Sequence, residues 1–225
     1  MGAIVNAVVI VVFSLIGIIF NTGIPERFND RIMDGIGLCV LVIGISGVIT
    51  VENPIVMIIS VLLGAIAGEF LQLEERLKQA VAAIERKTQK SNNTGNLGEG
   101  FITATMLFCV GSMAIVGSLE SGLLNDQTTL YTKSILDGIV SLLLASSLGV
   151  GVLLSSIPVL IYQGGMILLA GFMAPYLSDV VINEITVVGS LLLIGLAFNI
   201  LRLTEFKIMN YIPAIIFPVI IMQFI

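Results

Sequence analysis

Apolar runs and short polar turns alternate along almost the whole chain. Each run is roughly 17–22 residues, and at about 1.5 Å per residue a helix of that length crosses a ~30 Å hydrocarbon core. Eight such runs are predicted as spans: 3–20, 32–51, 54–71, 100–119, 133–154, 158–176, 184–201 and 206–225. Their ends carry recognisable breaks. Glu52-Asn53-Pro54 and Ser155-Ser156-Ile157-Pro158 each place a proline at the first turn of the following helix, where a missing N–H costs nothing. Pro213 and Pro218 interrupt the last run. Residues 74–90 are charged but carry Leu77, Val81 and Ile84 at helical spacing, which predicts an amphipathic extension of the third helix.

Two strings organise this pattern. Ile32-Met33-Asp34-Gly35-Ile36 opens the second run and Ile135-Leu136-Asp137-Gly138-Ile139 lies near the start of the fifth. The aspartates are 103 positions apart, as are Gly68 and Gly171, and Pro54 and Pro158 are 104 apart. Upstream, Gly2, Val12 and Ser14 meet Gly100, Val110 and Ser112 at an offset of 98. Spans one to three therefore resemble spans four to six. Three is odd, so the copies are expected to insert with opposite topology, an arrangement that recurs in secondary transporters with the site at the repeat interface. The expected architecture is an all-α polytopic bundle of about eight spans, a 3+3 inverted repeat plus two C-terminal helices. Its parts are a first repeat with its extension (1–90), a linker (91–99), a second repeat (100–176) and two further spans (177–225).

Composition narrows the class. Hydrophobic residues make up 57% of the 225 and charged residues 11%, against about 25% charged in soluble domains. Lipid is the expected solvent for most of the chain. The net charge of −5 says little about nucleic acid, and no basic patch is interleaved with aromatics. There is no histidine, which removes Ser-His-Asp and Cys-His catalysis and His-based zinc sites. Cys39 and Cys109 are isolated thiols in apolar runs and read as small hydrophobes. No enzyme activity, cofactor or metal centre is expected. The first run lacks a basic leader and a cleavage site and reads as retained. With eight crossings, nine of the ten Lys and Arg residues fall on one side, only Lys133 on the other. That asymmetry predicts a cytoplasmic 72–99 loop and both termini outside.

The candidate chemistry is sparse. Asp34 and Asp137 read either as paired carboxylates for a cation or proton, or as caps in the first turns of their helices, neutralised by Arg31 and Lys133 one turn earlier. Pro213 frees a carbonyl at Met209 that could coordinate a cation, with Asn199 and Asn210 nearby. Gln163, ahead of Gly164 and Gly165, is either a pathway residue or a hydrogen-bonding contact between helices. Asn6 is a polar residue in the first span with no assigned partner. An aspartyl protease using Asp34 and Asp137 is disfavoured, because inverted copies point the two toward opposite faces. Gly64 and Gly68 form a small-xxx-small stripe that suits a homodimer.

The segment LGEGFITATMLFCVGSMAIVGS at 97–118, the segment from SILDGI at 134–139 through IPVLIYQG at 157–164, and NYIPA at 210–214 resemble the YqgA/YdfK-like family of bacterial inner-membrane proteins, a domain of unknown function. The resemblance covers nearly the whole chain and implies a multi-pass plasma-membrane protein. It carries no functional residues over. The expected role is a secondary transporter or ion channel for a small ion or solute. The alternative is a membrane scaffold or sensor that binds a partner through 74–90.

Overall fold

The computed structural model describes residues 1–21, 26–76, 79 and 97–224. Most of the predicted 74–90 extension and residues 91–96 of the predicted linker lie outside the described residues. All regular structure among the described residues is helical. The helices are α1 (Gly2–Asn21), α2 (Glu26–Val48), α3 (Pro54–Leu71), α4 (Leu97–Cys109), α5 (Ser112–Leu123), α6 (Thr128–Leu148), α7 (Val150–Leu154), α8 (Ser156–Met173), α9 (Asp179–Ile200) and α10 (Phe217–Ile221). Two 3-10 segments, Ala174–Tyr176 and Ile208–Ile215, complete the order.

Fewer continuous spans form than there are apolar runs. Five helical stretches among the described residues are long and apolar enough to cross a membrane: Gly2–Phe20, Asp30–Val48, Pro54–Leu71, Val150–Tyr176 and Asp179–Ile200. A sixth exists if α4 and α5 count together, but that pair is bent by more than 40°. The bend falls at Gly111, and the break between α6 and α7 falls at Gly149, with φ of 123° and 67° that only glycine adopts without strain. α6 has the length of a span, at 21 residues, but holds Lys133 and Asp137. The eighth run is not one continuous helix of spanning length. Pro213 sits inside the 3-10 segment and Pro218 at the start of α10, and the loss of two N–H donors divides the run into short pieces.

The chain divides into two compact units. One comprises residues 1–32, 77–109 and 113–172. In it α1 lies along α6: Gly2 abuts Leu130, Gly138 abuts Val9 and Phe13, and Gly17 abuts the Leu142 carbonyl. The numbers rise together, so the two helices are parallel. The Gly2 N–H donates to Gln127 Oε1 at 2.8 Å and ties their starts. Asp126 begins α6 by accepting the Thr128 N–H (2.9 Å) and hydroxyl (2.7 Å), which holds its carboxyl below the usual range.

The other unit comprises residues 33–76, 110–112 and 173–225. Its centre is α9, 67% buried where the remaining spans are 22–33% buried. Gly44 and Gly47 of α2 pack on Ser190 and Ile194. Ser178 caps α9, and Asn53 Oδ1 caps α3 by accepting the Ile55 and Val56 N–H groups. The 3-10 segment docks along α3, where Gly64 faces Ala214 and Gly68 faces the Asn210 backbone. The small-xxx-small stripe is therefore used within the chain. Outward faces carry bare apolar side chains such as Phe70, Leu168 and Phe172, as lipid contact requires.

A Cβ on Gly68 would run into the Asn210 backbone, whereas one on Gly164 would meet nothing within 4 Å. Gly68→Ala is therefore expected to lower stability by about 1–3 kcal/mol. Gly164→Ala should be neutral or stabilising by up to ~1 kcal/mol. Thermal unfolding followed by circular dichroism in detergent checks both, and equal unfolding temperatures would contradict the packing.

Candidate functional site

Three helices of the first unit bring polar side chains to one buried point. α1 supplies Asn6, α6 supplies Lys133 and Asp137, and α8 supplies Gln163. Asn6 and Gln163 are fully buried, and Lys133 and Asp137 are 6% and 5% exposed. The Lys133 ammonium donates to both carboxylate oxygens of Asp137 at 2.8 Å. The Asn6 Nδ2 donates to Asp137 Oδ2 at 2.9 Å and to Gln163 Oε1 at 3.2 Å. One amide thus bridges a carboxylate on one helix and an amide oxygen on another.

Helix stability alone does not explain this arrangement. Lys133 and Asp137 are four apart on one helix, but the lysine comes first, the weaker order with respect to the helix dipole. Removing both charges from water costs several kcal/mol per ion before their attraction offsets it. Two further atoms of the cluster, Asn6 Oδ1 and Gln163 Nε2, are buried without a hydrogen-bond partner among the described residues. Such atoms are rare in native proteins and cost about 1–3 kcal/mol each. A cluster so expensive in an apolar interior points to use rather than support.

The expected site residues fall in different settings. Asp137 is the tenth residue of α6 and Asp34 the ninth of α2, because both helices begin upstream of their apolar runs. Neither aspartate caps a first turn. Asp34 is half-buried and belongs to the second unit, whereas Asp137 is buried in the first. Gln163 lies within an unbroken α8 and bonds across to α1. Asn199 closes its own turn: Nδ2 donates to the Phe206 carbonyl (2.7 Å), and Oδ1 accepts from the Phe206 N–H (2.8 Å) and the Thr204 hydroxyl (2.9 Å). Asn210 accepts from the Glu74 N–H (2.8 Å) and donates to Glu69 Oε2 (2.6 Å), which fixes the 3-10 segment on α3. Pro213 lies in that segment.

Two buried polar residues, one in each unit, escaped the sequence reading. Asn6 was assigned no partner, since nothing in a sequence says which helix an isolated amide will face. Glu184 stands in the sequence only as the first residue of the seventh apolar run, with no role assigned. It is fully buried in α9, and its Oε1 accepts the N–H groups of Glu52 (3.3 Å) and Asn53 (2.9 Å) in the turn before α3. No group of three His, Cys, Asp or Glu residues able to hold a metal occurs among the described residues.

The buried pair makes a direct energetic prediction. Lys133→Gln and Asp137→Asn each leave one unpaired buried charge and should cost about 3–5 kcal/mol. The double variant removes both charges and should lie closer to the wild type than either single variant. A double-mutant cycle from thermal or denaturant unfolding in detergent measures the coupling. Simple additivity would contradict the pairing.

Comparison with known proteins follows this membrane character. The chain is 36% identical to the "Uncharacterized membrane protein YdfK" of Bacillus subtilis over 221 residues, 96% of this chain and 93% of that one. It is 29% identical to the "Uncharacterized protein YqgA" of Escherichia coli over 218 residues, with the same shares covered. No solved structure matches the chain significantly. A family model described as "Protein of unknown function (DUF554)" matches residues 1–223. With its apolar helices and its match over nearly the full length, the chain belongs to this family of membrane proteins of unknown function.

Proposed function

We propose that the protein is a secondary transporter or channel that carries a small ion or solute across a bacterial plasma membrane, along a path that passes Asp137. One observation carries this reading: the Lys133–Asp137 pair is buried in an apolar protein and bonded to the Asn6 amide of a second helix, which in turn meets Gln163 of a third. Ionisable groups inside membrane proteins mark ion and substrate pathways and proton relays, because their burial is too costly to persist without a use. The repeated Asp-Gly strings at Asp34 and Asp137 add support, since duplicated modules recur in secondary transporters.

Each group in the cluster has a distinct task in this reading. Asp137 supplies the negative charge that attracts a cation or takes a proton. Lys133 neutralises that charge while the site is closed. Asn6 orients the carboxylate, Gln163 holds Asn6, and both offer neutral oxygens to a passing species.

Reconstitution into liposomes tests the proposal. Proton movement is followed with a trapped pH dye, and sodium, rubidium and chloride with radioactive tracers. Flux of at least one species above that of empty vesicles is expected, with loss in the Lys133→Gln/Asp137→Asn double variant. Flux equal to empty vesicles for every species, or full flux in the double variant, would overturn it.

A further inference from the structure

We propose that the Asp137 cluster is a binding site for a monovalent alkali cation, with Na+ as the probe, in which the ion takes the place held by the Lys133 ammonium. The inference deepens the transport reading and rests on it, since it names the species that the cluster handles.

The ammonium of Lys133 sits symmetrically on the carboxylate, 2.8 Å from each oxygen, as a monovalent cation would. Beside that carboxylate, joined to it through the Asn6 amide, lie further oxygens of the kind that a hard cation needs. Asp137 supplies two, Gln163 Oε1 a third from α8, and the Asn6 amide can supply a fourth from α1 by turning about its last bond. At present Asn6 presents Nδ2 to Asp137 Oδ2 and Gln163 Oε1, and its own oxygen is buried without a donor. Turned over, that oxygen would face the same point as the other two. An ion among them would balance three oxygens that would otherwise repel. A proton needs one oxygen of Asp137 and has no use for two neutral oxygens on separate helices. The remaining unpartnered donor, Gln163 Nε2, suits a water of the ion's own shell.

Displacement also needs somewhere for the lysine to go. Lys133 is the sixth residue of α6, and the helix start at Thr128 is exposed. Its flexible four-carbon stem can carry the ammonium toward that end while the stem stays in apolar surroundings. The cluster would then hold one cation at a time on Asp137, either tethered or free. The other titratable group that senses the pair is the half-buried Cys109 thiol on α4.

The test uses the purified full-length protein in detergent. The chain has no Trp, so unfolding is followed by circular dichroism. Na+ is exchanged for choline at constant ionic strength. Na+ should raise the unfolding temperature in a saturable way, as expected for a ligand bound to the folded state alone. Lys133→Gln removes the competitor and should lower the half-saturating Na+ concentration several-fold. The Lys133→Gln/Asp137→Asn variant carries no unpaired buried charge and should fold, yet be blind to Na+. Retention of radioactive sodium by the wild type, but not by the double variant, gives a second readout.

The proposal is overturned if Na+ and choline give equal unfolding temperatures in both wild type and Lys133→Gln, if the Na+ effect survives in the double variant, or if only pH moves the transition. Sodium binding without flux of any species would leave this site standing and remove the transport reading. Flux indifferent to Na+ would do the reverse.

Discussion

The carboxylate of Asp137 is buried in an apolar unit, and much of that unit is arranged around this fact. Lys133 answers the charge from one turn earlier on the same helix, and Asn6 answers it from α1. The Asn6 contact requires α1 and α6 to lie close, and small residues make that possible. Gly138, next to Asp137, lets Val9 and Phe13 approach, and Gly17 sits on the Leu142 carbonyl. The hydrogen bond from the Gly2 N–H to Gln127 sets the register at the helix starts. Electrostatics and close packing thus act on the same pair of helices, which is the usual way that membrane helices associate when lipid removes the hydrophobic drive between them.

The second unit solves a different problem with similar means. Its last apolar run forms no continuous helix, because Pro213 and Pro218 break the backbone ladder. The resulting 3-10 segment needs a partner and finds one in the glycine face of α3. Asn210 secures it at the Glu69 and Glu74 end. Glu184 plays a comparable part for the turn before α3, where it accepts two backbone N–H groups. Both residues hold backbone in place, although Glu184 Oε2, like Asn6 Oδ1 and Gln163 Nε2, is buried without a hydrogen-bond partner among the described residues.

Helix content and membrane character were legible in the sequence because both are written in local patterns: long apolar runs, polar turns and prolines at first turns. The Lys133–Asp137 contact was also legible, since positions four apart on a helix must be neighbours. Its depth was not. The predicted run begins at 133, but the helix begins at Thr128, and tertiary packing buries Leu130, Lys133 and Ser134 of its first turns. The Asn6–Gln163 contact spans 157 positions and has no local signature. The breaks at Gly111 and Gly149 were missed for a related reason. Glycine is common in membrane helices, and only the backbone angles reveal which ones turn the chain.

The central claim is that this cluster is retained for work and not for stability. Replacing buried ionic groups by apolar residues of similar volume is often neutral or stabilising. The most direct measurement is therefore the transport flux and unfolding temperature of one variant, Asn6→Leu/Lys133→Met/Asp137→Leu/Gln163→Met. The account predicts an unfolding temperature at or above that of the wild type together with complete loss of flux. Undiminished flux in a stably folded variant, or a variant that cannot fold at all, would contradict it.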